Sequence, residues 1–165
     1  MVALSQMDKL QPCLLDRLTD DEPGNIKEGR AQRVMSLQRY RQAVLRDIAW
    51  LLNTHANSKT SGLDAFAEIP SSVLNYGVQN VAGMTPSSLD SDEMRYRIIE
   101  ALRRFEPRVI PNSVSIRIIV DPEEMSNRSI RFEILGDLWA QPVPESLFIR
   151  TDLDLETGKC SLRRG

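Results

Sequence analysis

The hydrophobic period of this chain changes once, across the stretch RRFEPRVIP (Arg103 to Pro111). That change restricts the folds open to it. Before the stretch, apolar residues recur at steps of three and four; after it, they alternate with polar ones. The first spacing lines one stripe of an α-helix, the second one face of a β-strand. Helices followed by strands predict an α+β domain, with two main helices packed on one face of a largely antiparallel sheet of about four strands and a C-terminal hairpin.

The first helical stripe runs between Glu28 and Asn53 through Val34, Leu37, Val44, Leu45, Ile48, Leu51 and Leu52. Trp50 lies near it and reads as core. A second helix is predicted after Asp90, where Asp90 and Glu93 make a capping-box-like start. Its stripe is Met94, Ile98, Ala101, Leu102 and Phe105. Between the two, Glu68 to Gly77 reads as a short helix, with Pro70 in the first turn and Gly77 at the C-terminal cap. Pro107 stops the second helix, because it lacks an amide hydrogen and disfavours the α region for Glu106. Beyond Pro111, one strand face carries Val114, Ile116, Ile118 and Val120, and a second carries Ile130, Phe132 and Ile134, resumed by Leu138 and Ala140 past Gly136. A third carries Leu147, Ile149, Leu153 and Leu155, and Thr157-Gly158 turns into a short fourth strand, Lys159 to Leu162.

Residues 1–27 are expected to form a flexible N-terminal arm, and residues 28–165 a single α+β domain. The arm holds one short apolar anchor, Leu14, Leu15 and Leu18, followed by the helix-breaking TDDEPGN. Such an anchor packs on its own domain or docks on a neighbour, and spacing does not choose between them. The 165 residues, 41% hydrophobic, suffice for one core, and the net charge of -2 supplies no global field for nucleic acid or an anionic membrane. Of the 21 basic residues, 17 are arginine. Arginine suits interfacial ion pairs, although a GC-rich genome enriches it equally well. The face made by Arg30, Arg33, Arg39, Arg41 and Arg46 meets phosphates, meets acidic protein, or is simply solvated.

Catalytic chemistry is sparse. Cys13 and Cys160 are far apart in sequence, with no CxxC or metal-ligand spacing, so no metal and no cofactor is expected. There is no GxSxG, HExxH or phosphate-cradling glycine loop. His55, the single histidine, lies in the loop-like NTHANSKTSG with no nucleophile assigned to it. Glu100, Glu106, Glu133, Asp152 and Asp154 could serve a glycosidase in principle, but a sugar cleft usually shows aromatic platforms and aromatics make up 5% of the chain. Asp152 and Asp154 share a strand face, as a cation site or as a solvated edge. Glu106 and Arg108, two apart in an extended segment, pair with each other or address a partner. The start MVALSQMDKL lacks a signal-peptide pattern, and no apolar run is long enough to span a bilayer. A soluble cytoplasmic protein without membrane insertion is expected.

Five segments in order carry a family resemblance: LLDRL (Leu14 to Leu18), RVMSLQRYRQAVLRDIAWLLNT (Arg33 to Thr54), SVLNYG (Ser72 to Gly77), RRFEPRVIP and QPVPESLFIRTDLDLETG (Gln141 to Gly158). Together they resemble the TssE family, baseplate proteins of type VI secretion systems within the phage baseplate-wedge family often labelled lysozyme-like. The resemblance implies a structural, non-enzymatic component that contacts TssF and TssG in the wedge and helps initiate the sheath of TssB and TssC. It implies that Glu106, Pro107 and Arg108 form a contact motif. Arg108→Ala would then leave the domain folded and weaken wedge assembly. Leu14, Leu15 and Leu18 join the motif as expected partner-binding residues. A sheet edge with exposed amides at Lys159 and Ser161 would accept a neighbour's strand. The lysozyme-like label keeps a peptidoglycan-cleaving hydrolase as the alternative.

Overall fold

Two helices supply one layer, and each begins where a side chain can replace the missing backbone acceptor. In the computed structural model, which describes residues 10, 12–19, 23–24, 35–56, 66–85, 88–119, 129–140 and 143–164, the first long helix (α2, Leu37–Leu52) starts at Ser36, whose hydroxyl accepts from the Arg39 amide at 3.2 Å. The helical pattern expected from Glu28 therefore begins later, since Met35 and Ser36 are not helical. Val34, Arg30 and Arg33 lie outside the described residues. The second long helix (α3, Ser91–Phe105) starts at Asp90, whose carboxylate takes the amides of Asp92 and Glu93. Glu93 pairs with Arg97 rather than closing the capping box. A single-turn helix (α1, Leu14–Leu18) precedes both.

The expected helix between Glu68 and Gly77 is instead two 3-10 turns, Ile69–Ser71 and Val73–Asn75. Ser72 separates them in an extended conformation, because its hydroxyl caps the second turn through the Leu74 amide. Gly77 turns with φ of +123° and lies against the Thr54 carbonyl.

Four antiparallel strands follow in the order β1 (Ser115–Ile119), β2 (Ser129–Leu138), β3 (Glu145–Asp154) and β4 (Cys160–Arg164). Each is neighbour to the next, as hairpin-linked strands prefer. Val120 lies outside the described residues. One sheet face buries Ile116, Phe132, Ile134, Leu138, Leu147, Ile149 and Leu153 against Val44, Ile48, Leu51, Met94, Ile98 and Leu102 of the helices. Thr151 is also fully enclosed and donates its hydroxyl to the Phe132 carbonyl at 2.7 Å. Cys160 lies in this core, and burial pushes its thiol up to about 12.

The opposite face is an ionic ladder. Glu133 pairs with Arg150 and Arg117, and Asp152 with Arg131 and Arg163. Such cross-strand pairs each contribute about 0.2–1 kcal/mol and pin register. Asp152 is thus committed to two guanidiniums, while Asp154 accepts the Glu156 and Thr157 amides of the β3–β4 turn.

At the β4 edge, the amide and carbonyl of Cys160 are both held by the Asn53 side chain, at 3.0 and 2.8 Å. Lys159 donates its amide to the Thr157 hydroxyl, and its carbonyl accepts from the Asp154 amide. Alternation along an antiparallel ladder then turns Ser161 toward β3 and Leu162 toward the open edge. The expectation of free amides at Lys159 and Ser161 is corrected to Leu162.

Candidate functional site

Where α3 stops, Glu106 becomes its C-cap and the chain turns through Pro107 and Arg108. The turn is stitched to the end of β2. Trp139 donates to the Arg108 carbonyl at 2.7 Å, Ile110 to the Asp137 carbonyl at 2.8 Å, and Val109 bridges Leu138. The Tyr40 hydroxyl, from α2, donates to the Trp139 carbonyl at 2.9 Å. Burial, reinforced by the Glu106 charge against an opposing Arg108, raises the Tyr40 phenol above its ordinary range.

These braces fold Arg108 back onto its own turn. Its Nε and Nη2 meet the two oxygens of Glu106, each at 2.6 Å, in the bidentate fork that arginine makes with carboxylates. Nη2 also reaches Oδ2 of Asp47 on α2. Glu106 is 3% exposed and the Arg108 side chain 18%. Burial works against the guanidinium charge, but the two carboxylates outweigh it and hold it firmly protonated.

Asp47 carries the network onward. Its Oδ1 accepts from Arg46 Nε at 2.7 Å, and Arg46 Nη1 reaches Asp16 of α1 at 2.8 Å. Asp16 also accepts the Cys13 thiol. Burial would raise the Asp16 carboxyl, but the Cys13 hydrogen bond and Arg46 overcome it and hold it below the ordinary value. Glu106, Arg108, Asp47, Arg46 and Asp16 therefore form one chain of charges, three negative and two positive, that joins the turn to α2 and α1.

That tether decides how α1 sits. Its acidic side faces the domain, and Leu14 and Leu18 are 72% and 75% exposed, with Leu15 partly so. Trp50, expected in the core, is instead 51% exposed and lies under the Arg46 guanidinium at 5.1 Å. It points away from the Val44, Ile48 and Leu51 stripe that meets the sheet.

The structure thus brings Glu106 and Arg108 together as an ion pair and places Leu14, Leu15 and Leu18 at the far end of the same network. Asp47 and Asp16 are the members that sequence reasoning missed. A signal was present: Asp47 falls between Val44 and Leu51 on the buried stripe, where a carboxylate needs a partner. Of the arginine face, Arg41 pairs with Glu145 and Arg46 belongs to the network. The His55 backbone forms a parallel bridge with Val78. Among the described residues, no cluster of His, Cys, Asp or Glu is arranged to hold a metal, and no helix is long and apolar enough to cross a membrane.

Chemically, the arrangement is a closed electrostatic brace. Both oxygens of Glu106 and both of Asp47 accept from a guanidinium. A family model described as baseplate wedge protein gp25 matches residues 38–143, a span that includes α3, the Glu106–Pro107–Arg108 turn, β1 and β2. No curated protein and no solved structure matches the chain.

Proposed function

Because this chain belongs to the baseplate wedge protein gp25 family, a family of structural baseplate components, we propose that it serves in the cytoplasmic baseplate of a type VI secretion machine. In this reading it is a non-enzymatic adaptor that joins the wedge to the sheath and helps sheath polymerisation begin. The observation that carries the reading is that the matched span contains the Glu106–Pro107–Arg108 turn as a braced ion pair rather than an open pair of carboxylates. Residues 28–165 act as the wedge domain and residues 1–27 as an arm. TssF and TssG are the wedge partners, meeting the turn and the outward leucines of α1. TssB and TssC are the sheath partners, meeting the open edge of β4.

The test for the wedge contact is co-purification with candidate TssF and TssG. Leu14→Asp combined with Leu18→Asp should weaken capture by about tenfold or more, since burying a carboxylate in an apolar contact is costly. The melting temperature should hold, because both leucines are exposed in the isolated chain. Undiminished capture would remove α1 from the interface.

For the sheath contact, Leu162→Pro removes the outward amide and Leu162→Ala matches its side-chain loss. Sheath initiation should fail in the first and persist in the second, as main-chain pairing requires. Equal behaviour of the two would end the strand-addition reading. Turnover of purified peptidoglycan by the isolated protein would favour the hydrolase instead.

A further inference from the structure

At the end of the domain away from the Glu106 turn, α2, α3 and the β3–β4 hairpin do not close on one another. Among the described residues they surround a cavity of about 250 Å³. Leu52, Met94, Ile98, Phe132, Leu153 and Cys160 form its walls, so its interior is apolar. Met84 and His55 stand at its exposed mouth, beside Asp90, Glu93 and Arg97.

Three observations define what would fill it. Its volume exceeds the roughly 150 Å³ of an apolar cavity that accommodates benzene. Two methionines line it, Met94 on the wall and Met84 at the mouth, and thioethers make favourable contacts with aromatic rings. The mouth carries two carboxylates against one guanidinium, with Arg97 already paired to Glu93. Asp90 is occupied with the first amides of α3 through one oxygen, Oδ1. The charge excess at the mouth favours a cationic neighbour.

We propose that this cavity is an anchor site for an aromatic side chain of a partner protein, presented next to a basic residue. The site is separate from the Glu106–Arg108 turn and from α1, and it does not depend on their role.

The experiment uses the full chain and two capped peptides, acetyl-Lys-Trp-Lys-amide and acetyl-Glu-Trp-Glu-amide, followed by the methyl resonances of Met84 and Met94. The basic peptide should shift both methyls and bind about tenfold tighter than the acidic one. Val81→Phe, which puts a ring into the cavity from its own wall, should abolish those shifts. Absence of methyl shifts up to about 5 mM basic peptide, equal binding of the two peptides, or unchanged binding to folded Val81→Phe would each overturn the assignment. If Val81→Phe does not fold, the comparison of peptides on the unaltered chain decides alone.

Discussion

Arg108→Ala is expected to lower the stability of the isolated chain by about 3–5 kcal/mol, the usual consequence of removing one partner from a buried ion pair. The magnitude follows from what is left behind. Glu106, at 3% exposure, would keep a carboxylate that had lost both arms of its fork, and Asp47 would lose a second contact. Arg108→Lys keeps the charge but cannot reproduce the fork, so its loss should be intermediate. Urea unfolding measures both, with an unchanged slope showing that the unfolded state is not responsible. A loss below about 1 kcal/mol for Arg108→Ala would mean that the pair behaves as a solvated surface contact. The result also changes how an assembly defect is read. The contact-motif reading had Arg108→Ala leaving the domain untouched. With Arg108 committed to Glu106 and Asp47, weakened assembly in that variant would combine a lost contact with a loosened turn. The double cycle of Asp47→Asn and Arg108→Lys separates the two, because coupling in the unbound chain belongs to the brace alone.

Gly77→Ala should be nearly as damaging, at about 4 kcal/mol, from backbone strain and overpacking together. Gly77 has φ of +123°, a conformation that L side chains rarely adopt, and a Cβ there would strike the Thr54 carbonyl, coming 2.7 Å from its carbon and 3.0 Å from the Ala56 amide nitrogen. Those groups cannot yield cheaply. Thr54 accepts from the Val78 amide and Ala56 donates to the Val78 carbonyl, both at 2.9 Å, so the clash falls on the bridge that fastens the end of α2. Gly83→Ala provides the comparison. Its φ is +81° but nothing lies within 4 Å of the added carbon, so it should cost only the left-handed penalty of about 1–2 kcal/mol. Equal denaturation midpoints for the two variants would show that the close approach to Thr54 contributes nothing.

The contrast between these glycines illustrates what could be read early. Gly77 was legible as a turn residue, since glycine commonly follows a helical turn, but its contact with Thr54 joins residues far apart in sequence. The expected helix before it failed for a local reason: Ser72 caps the turn that follows it and divides the segment. Trp50 was misplaced because a one-dimensional stripe has soft borders. Only the packed sheet fixes which part of α2 is covered.

The alternating and three-to-four patterns, the proline stop at Pro107 and the turn into β4 were determined by the sequence itself, because they depend on backbone geometry within a few residues. Those same local rules bring Glu106 and Arg108 within reach of each other. Tertiary structure decided the rest. It brought Asp47 to the fork, tied Arg46 to Asp16, turned the leucines of α1 outward, closed the β4 edge at Cys160 with Asn53, and left a cavity between α3 and the hairpin. Each depends on where separate elements meet, and charge pairing and burial across such junctions have no periodic trace in the chain.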